Sequence, residues 1–289
     1  MFRTKKQIFA FIEQNRQTYS IGVMCKFFGV SRCGYYAWRS RGRSDRDRED
    51  QLLFKEIKRI HKSSREIYGS PRVHVALKEK GFRIGKKRIE RLMRSGGLKG
   101  RSARLYRKKG NQYTKAPIAN NSLDVVPTRP DQVWVGDITY LKGGGRFRYC
   151  AVVMDKYSRR IIGWSISKFK DMRLTMSALN HAVYNRPKAK GVIFHSDRGA
   201  EYGAEAIQAR LAELGYIQSM NRPTAKFADN AYMESFFHSM KSECIHRINF
   251  SDPESVARKV RSYIPFYNNK RKHSALGYMT PLEYEQKTA

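Results

Sequence analysis

Past Gln132 the chain stops following a helical period and breaks into short runs of β-branched and aromatic residues, and the order of those runs limits the fold. VWVGDITYL, FRYCAVVMD and RRIIGWSIS read as three consecutive strands, the last two joined by a short turn around Lys156 to Ser158. RLTMSALNHAVYN reads as a helix, GVIFHSDRG as a short buried strand ending at Asp197, and AEAIQARLAELGY as a helix with Gly215 where a C-cap belongs. IQSMN is a further brief strand, and a Pro-containing loop leads into FADNAYMESFFHSMKSE, residues 227–243. Three strands, helix, strand, helix, strand, helix predicts a mixed α/β layer. From about Ser255 the chain holds one more helix and a polar tail containing FYNNKRKHSALGY.

Residues 227–243 predict a helix with two working faces. Met233, Phe237, Met240 and Cys244 form an apolar stripe, and Glu234, His238 and Lys241 a second stripe beside it. Asp229 is placed to cap the N-terminus. Two further carboxylates stand in apolar strands: Asp137, on one face with Val135 and Thr139, and Asp197, at a strand end of the kind where α/β sheets carry ligand-contacting residues. Each alone has a structural explanation: Glu234 as the rim of a core helix, Asp197 as a turn-forming cap, Asp137 as the partner of a nearby cation. Together, hard oxygen ligands from two strands and one helix can converge on one or two Mg²⁺ or Mn²⁺ ions, which also relieves the mutual repulsion of the carboxylates. Such a site suits in-line phosphoryl displacement. His195, His238 and His273 are each read as structural, with contact to DNA or to the leaving group as the alternative.

The charge balance names the partner. With 58 Lys and Arg against 25 Asp and Glu the net charge is +33, and residues 1–130 carry 33 of the basic and 10 of the acidic residues. A field of that sign seeks a polyanion, and no apolar run is long enough to span a bilayer. The four cysteines have no C-x-x-C spacing, which argues against a zinc site or a disulfide framework. In SIGVMCKFFGVSRCGYYAWR, Gly29 breaks one helix and Ser31 can cap the next, a helix-turn-helix pattern with Arg32 near the start of its second helix. A second helical unit runs from about Gln51 to Leu98. Its helix at 70–80 starts with Ser70 as N-cap and Pro71 at the first helical position, and the helix after it carries Lys87, Arg88, Arg91 and Arg94 toward phosphates. Residues 100–129, with seven basic residues and one acidic, read as an extended linker.

RPDQVWVGDITYL, HSDRG and DNAYMESFFHSMKSE resemble the catalytic core of retroviral-integrase-like DDE transposases, and more closely the OrfB-type product of bacterial insertion-sequence family three. YGSPRVHVAL…RIGKKRIERLMR, CKFFGVSRCGYYAWR and YNNKRKHSALGYMTPLEY resemble that family's second helix-turn-helix unit, its N-terminal one and its C-terminal end. The resemblance implies an α/β RNase H-like catalytic domain, a mixed central sheet flanked by helices, preceded by all-α helix-turn-helix modules. The boundaries expected are 1–48 and 49–99 for the two modules, 100–129 for the linker and 130–289 for the catalytic domain. It also implies Asp137, Asp197 and Glu234 as a metal-binding triad and Lys241 as a contact to terminal DNA. The spacing of 36 residues between Asp197 and Glu234 is one longer than usual in that family, with the extra residue in the loop RPTAKFADN. The function expected is cleavage of element ends and joining of the 3′-hydroxyl to target DNA, with double-stranded DNA as partner. A homo-oligomer and an upstream-frame partner or fusion are expected with it, in a cytoplasmic, nucleoid-associated protein. The alternatives are an RNase H-like nuclease without strand transfer, and an inactive DNA-binding repressor or element remnant.

Overall fold

The computed structural model describes residues 4–41, 44–101, 125–221, 230–246 and 248–288. Asp229 as a helix cap, the loop residues 222–229 and most of the expected basic linker lie outside the described residues.

At the N-terminus α1 (Lys5–Asn15), α2 (Ile21–Phe27) and α3 (Arg32–Ser40) close around Phe9, Ile12, Met24, Cys25 and Tyr35. Gly29, at φ +63°, turns the chain between α2 and α3, and the Ser31 hydroxyl accepts from Gly34 N at 3.0 Å to cap α3. Next come α4 (Asp45–Ser63), α5 (Ser70–Glu79) and α6 (Lys86–Ser95). Gly69 is the N-cap of α5, so Ser70 is already helical and Pro71 is the second residue, one place later than expected. The charged run RGRSDRDRED is largely the first turn of α4, capped by Ser44, because Asp45 and Asp47 favour a helix N-terminus.

Five strands follow: β1 (Val133–Gly143), β2 (Arg146–Asp155), β3 (Ile161–Ser167), β4 (Ile193–Ser196) and β5 (Ile217–Met220). They lie in the order β3-β2-β1-β4-β5, with β1, β2 and β3 antiparallel and β1, β4 and β5 parallel. Between them run α7 (Met172–Asn185), the single turn α8 (Ala200–Gly203) and α9 (Glu205–Glu213). After β5 come α10 (Ala231–Met240), α11 (Pro253–Asn269) and α12 (Pro281–Thr288). This mixed sheet flanked by helices is the RNase H-like arrangement expected.

Alternation along β1 sorts the two layers. Trp134, with Ala151, Val153, Ile162 and Phe194, packs against α7 and α9, while Val133, Val135 and Leu141 pack against α10 and α11. Gly163 lets α7 approach β3 closely; a Cβ there would lie 2.6 Å from Ala182 N. The α10 layer does not stop at the sheet-bearing half of the chain. Leu53, Ile57, Val73, Leu77, Ile89 and Leu92 of α4–α6 belong to the same continuous apolar cluster as Met233, Phe236 and Tyr263.

Candidate active site

Two of the expected carboxylates stand just past the pairing of β1 with β4. β1 and β4 pair in parallel as Val133 with Ile193, Trp134 with Phe194 and Val135 with His195. Asp137 and Asp197 each follow the last residue of their strand in that pairing by two positions, and the charges of both act on Tyr202. Both side chains are half-buried. Asp137 Oδ1 accepts from Ile138 N at 2.7 Å, and Asp197 Oδ1 accepts from Gly199 N at 3.1 Å, so local backbone orients each carboxylate. Tyr202, buried beneath them, registers their shared field. Burial pushes its phenol well above the ordinary value, and the charges of Asp137, Asp197 and Glu201 push it the same way. Gly136 makes room for that ring; a Cβ there would sit 2.9 Å from Phe194 and 3.3 Å from Tyr202.

The third carboxylate arrives on α10. Met233, Phe236, Phe237 and Met240 are buried, each contributing about 1.5–3 kcal/mol by leaving water, and this burial leaves Glu234 and His238 half-buried on the adjoining stripe. Asn230, at the N-cap position, donates from Nδ2 to Gly136 O at 3.2 Å, one residue before Asp137. At the other end Lys241 sets its ammonium 4.3 Å from the centre of the Tyr140 ring. α10 is thus tied to β1 on both sides of Asp137, with Glu234 in its first turn. Beyond Met240 the helix widens into a π turn over Lys241–Ile245, closed by His246 N donating to Lys241 O at 2.8 Å.

The donor set is all oxygen and suits a hard divalent cation. Asn230 Oδ1 is moreover buried without a hydrogen-bond partner beside Gly136. Among the described residues no three His, Cys, Asp or Glu side chains form a group that could hold a metal ion. Asp137, Asp197 and Glu234 suit such a cation in donor type, but the three carboxylates do not form one group in this structure.

The remaining expected contacts separate. Arg32 is exposed at the first position of α3. On α6, Lys87, Arg91 and Arg94 are exposed and line one recess with Glu90 and Ser95. Arg88 instead turns toward α4, its Nε on Asp50 at 2.7 Å and its Nη2 on Glu49 at 3.0 Å, and Arg91 shares Asp50 at 2.5 Å. His195 is buried, with its ring nitrogens on Ser219 Oγ at 2.9 Å and Asn221 Oδ1 at 2.8 Å, which ties β4 to β5 and to the residue after it. His273 is also buried. Burial, and then the charges of Arg271, Arg72 and Arg159, push its imidazole down to about 2.

Sequence reasoning missed a buried ionic centre behind α10. The stretch read as a polar tail folds back, burying Arg271, Lys272 and His273 before α12. Arg271 donates to Glu243 from Nε at 2.8 Å and from Nη2 at 2.6 Å, and the Tyr263 hydroxyl donates to the same carboxylate at 2.6 Å. Arg101 Nη1 reaches Glu243 O at 3.0 Å, Arg72 Nε reaches Lys272 O at 2.9 Å, and the Tyr68 hydroxyl reaches Lys270 O at 2.6 Å. The only sequence signal was Glu243 itself, an acid beside the apolar stripe that needs a buried partner.

Comparison with known proteins adds the following. Family models described as "Integrase core domain" match residues 127–226 and 234–288, and one described as "HTH-like domain" matches residues 47–108. The chain is 36% identical over 267 residues to the insertion element IS600 uncharacterized 31 kDa protein of Shigella sonnei, covering 91% of this chain and 98% of that one. It is 34% identical over 284 residues to the transposase InsF for insertion sequence IS3A of Escherichia coli K12, covering 96% and 98%. Among solved structures, the HTLV-2 integrase catalytic core domain in complex with magnesium is 16% identical at a TM-score of 0.43, covering 54% of this chain and 97% of that one. A simian T-cell lymphotropic virus intasome chain is 15% identical at 0.49, covering 80% and 74%.

Proposed function

The chain belongs to the family of insertion-sequence transposases that includes InsF of IS3, and from that premise we propose that it cuts the ends of its element and joins the freed 3′-hydroxyl to target DNA at Asp137, Asp197 and Glu234. The observation carrying this is the parallel pairing of β1 and β4 just before Asp137 and Asp197, beside a helix tied to β1 on either side of Asp137. In this reading Asp137 and Asp197 hold Mg²⁺ or Mn²⁺, two ions per site, and Glu234 completes the ligand set from α10. Bound ions supply Lewis-acid activation of the attacking oxygen and charge stabilisation for the leaving one.

The chain's own residues do the positioning. Lys241, beyond Glu234 on the same stripe, grips a phosphate of the terminal DNA and sets the scissile bond against the carboxylates. Exposed Lys87, Arg91 and Arg94 on α6 and Arg32 on α3 contact the phosphates of the terminal repeats, while Arg88 braces α6 through Glu49 and Asp50. The modules before residue 99 hold the repeat, and residues 130–289 carry the chemistry. Two ends are paired by a homo-oligomer, and an upstream-frame partner or fusion joins the assembly on the nucleoid in the cytoplasm. Among the described residues no helix is long and apolar enough to cross a membrane.

The test is cleavage of DNA carrying the segments that flank this gene, in Mg²⁺ or Mn²⁺, by the native chain and by Glu234→Gln. The expected result is metal-dependent nicking at the element boundary, with strand-transfer products, both lost in the variant. Nicking without strand transfer indicates a nuclease. DNA binding without metal-dependent cleavage in either chain supports the repressor. Equal activity in both removes Glu234 from the mechanism.

A further inference from the structure

Past the catalytic carboxylate, β1 leaves the shelter of β4. Pairing between the two covers only Val133–Val135, while the antiparallel ribbon of β1 and β2 runs on to Gly143 and Arg146. On this outer stretch the sheet face that carries Trp134 in the core presents Tyr140 and Lys142, with Tyr149 and Phe147 directly across on β2. Tyr140 is 60% exposed and Phe147 45%, unusual for rings on a sheet with this much charged surface. They meet edge to face at 5.9 Å. Lys241 lies 4.3 Å from the Tyr140 ring and Lys142 6.0 Å from that of Phe147, so a cation brackets each end of the pair.

From this arrangement we propose that Tyr140 and Phe147 form a stacking platform for unpaired bases at the DNA end, with Lys142 and Lys241 on the flanking phosphates. The proposal rests on the transposase reading and deepens it, by giving unpaired bases beside the cut strand a place to lie. Adjacent strands of a twisted sheet hold rings at a spacing on which unstacked bases can lie, and stacking is indifferent to base identity. The occupant is nucleic acid because the rings are interleaved with lysines in a chain of net charge +33. Tyr140 is three residues beyond Asp137 on the same strand, and Lys241 seven beyond Glu234 on the same helical run, so a base seated here belongs to the strand being cut.

The experiment uses the full chain without divalent metal and a short single-stranded oligodeoxynucleotide containing 2-aminopurine, against a blunt duplex of the same sequence. The native chain is expected to quench 2-aminopurine on binding. Tyr140→Ala and Phe147→Ala should each weaken single-strand binding about tenfold or more and relieve the quenching, Tyr140→Trp should keep both, and duplex affinity should hold. Both positions are exposed, so an unchanged thermal melt is expected and is measured alongside. Absence of quenching by the native chain, unaltered quenching in the alanine variants, or equal loss of duplex binding overturns the platform. The nicking assay separates the two ideas. A chain that nicks element ends but quenches nothing loses the platform alone; one that stacks the oligonucleotide but nicks nothing loses the transposase mechanism.

Discussion

Arg271→Ala breaks a buried ion pair from one side. Arg271 and Glu243 have side chains only 6% and 2% exposed. Glu243 accepts two bonds from Arg271 at 2.8 and 2.6 Å and one from Tyr263 at 2.6 Å. Truncating the arginine leaves a buried carboxylate with only the Tyr263 hydroxyl of these donors, and breaking a buried pair from one side costs about 3–5 kcal/mol. Removing both charges in Arg271→Met with Glu243→Leu is a different perturbation, close to neutral for the pair itself, because neither ion then has to be desolvated. Tyr263 loses its acceptor in that double variant, at about 1–3 kcal/mol, so the double variant should still be more stable than Arg271→Ala. Urea unfolding followed by tryptophan fluorescence, to which Trp134 buried in the sheet contributes, reads the difference as a shift in midpoint. A cost below about 1 kcal/mol for Arg271→Ala, or a double variant less stable than it, would refute the claim that this pair is a desolvated ionic centre.

The same centre makes an acid prediction. His273 is held down to about 2 when folded, against an ordinary value of 6.5, so only the unfolded chain takes up this proton between those values. Stability is therefore full above pH 6.5 and falls as pH drops toward 2, by at most about 1.4 kcal/mol per pH unit from this group, and His273→Gln should flatten the slope of melting temperature between pH 6 and 4. Gly163→Ala drives a Cβ to 2.6 Å from Ala182 N and should cost about 1–3 kcal/mol by the same urea assay, without altering DNA affinity. On α6, Lys87→Ala and Arg94→Ala should each lower the salt dependence of DNA binding by about one unit in log–log slope. Arg88→Ala should chiefly lower the melting temperature, since that guanidinium is engaged by Asp50 and Glu49.

How much of this was legible from sequence depends on whether a residue's role is local. Strand period, helix stripes and turn glycines are local, and so β1 to β5 and the buried face of α10 followed from pattern alone. Asp137 stood out because a mid-strand acid among Val, Ile and Trp has few inexpensive explanations. Its placement near Asp197 did not follow, since parallel register across more than fifty intervening residues is set by packing of α7 and the whole sheet rather than by either strand. Lys87, Arg88, Arg91 and Arg94 of α6 look equivalent in sequence. Only the approach of α4, with Glu49 and Asp50, divides Arg88 from Lys87 and Arg94.

KRKH misled for the same reason in reverse. The basic run read as a polar tail because no sequence window contains the Glu243 that receives Arg271 or the Glu79 that receives Lys272. Their burial matters for the site. The π turn that begins at Lys241 has Glu243 as its third residue, and Glu243 is clamped by Arg271 and Tyr263 while Arg101 holds its carbonyl. Lys241 and α10 are thus fixed at one end by Tyr263 of α11, Arg271 after it and Arg101, which follows the second helical unit, and at the other by the bond from Asn230 to Gly136 of β1. The same fold-back carries Lys270 and Lys272 to Tyr68 and Arg72, between α4 and the start of α5. The second helical unit and the helix bearing Glu234 are therefore joined through one buried set of hydrogen bonds and one ion pair, centred on the segment after α11.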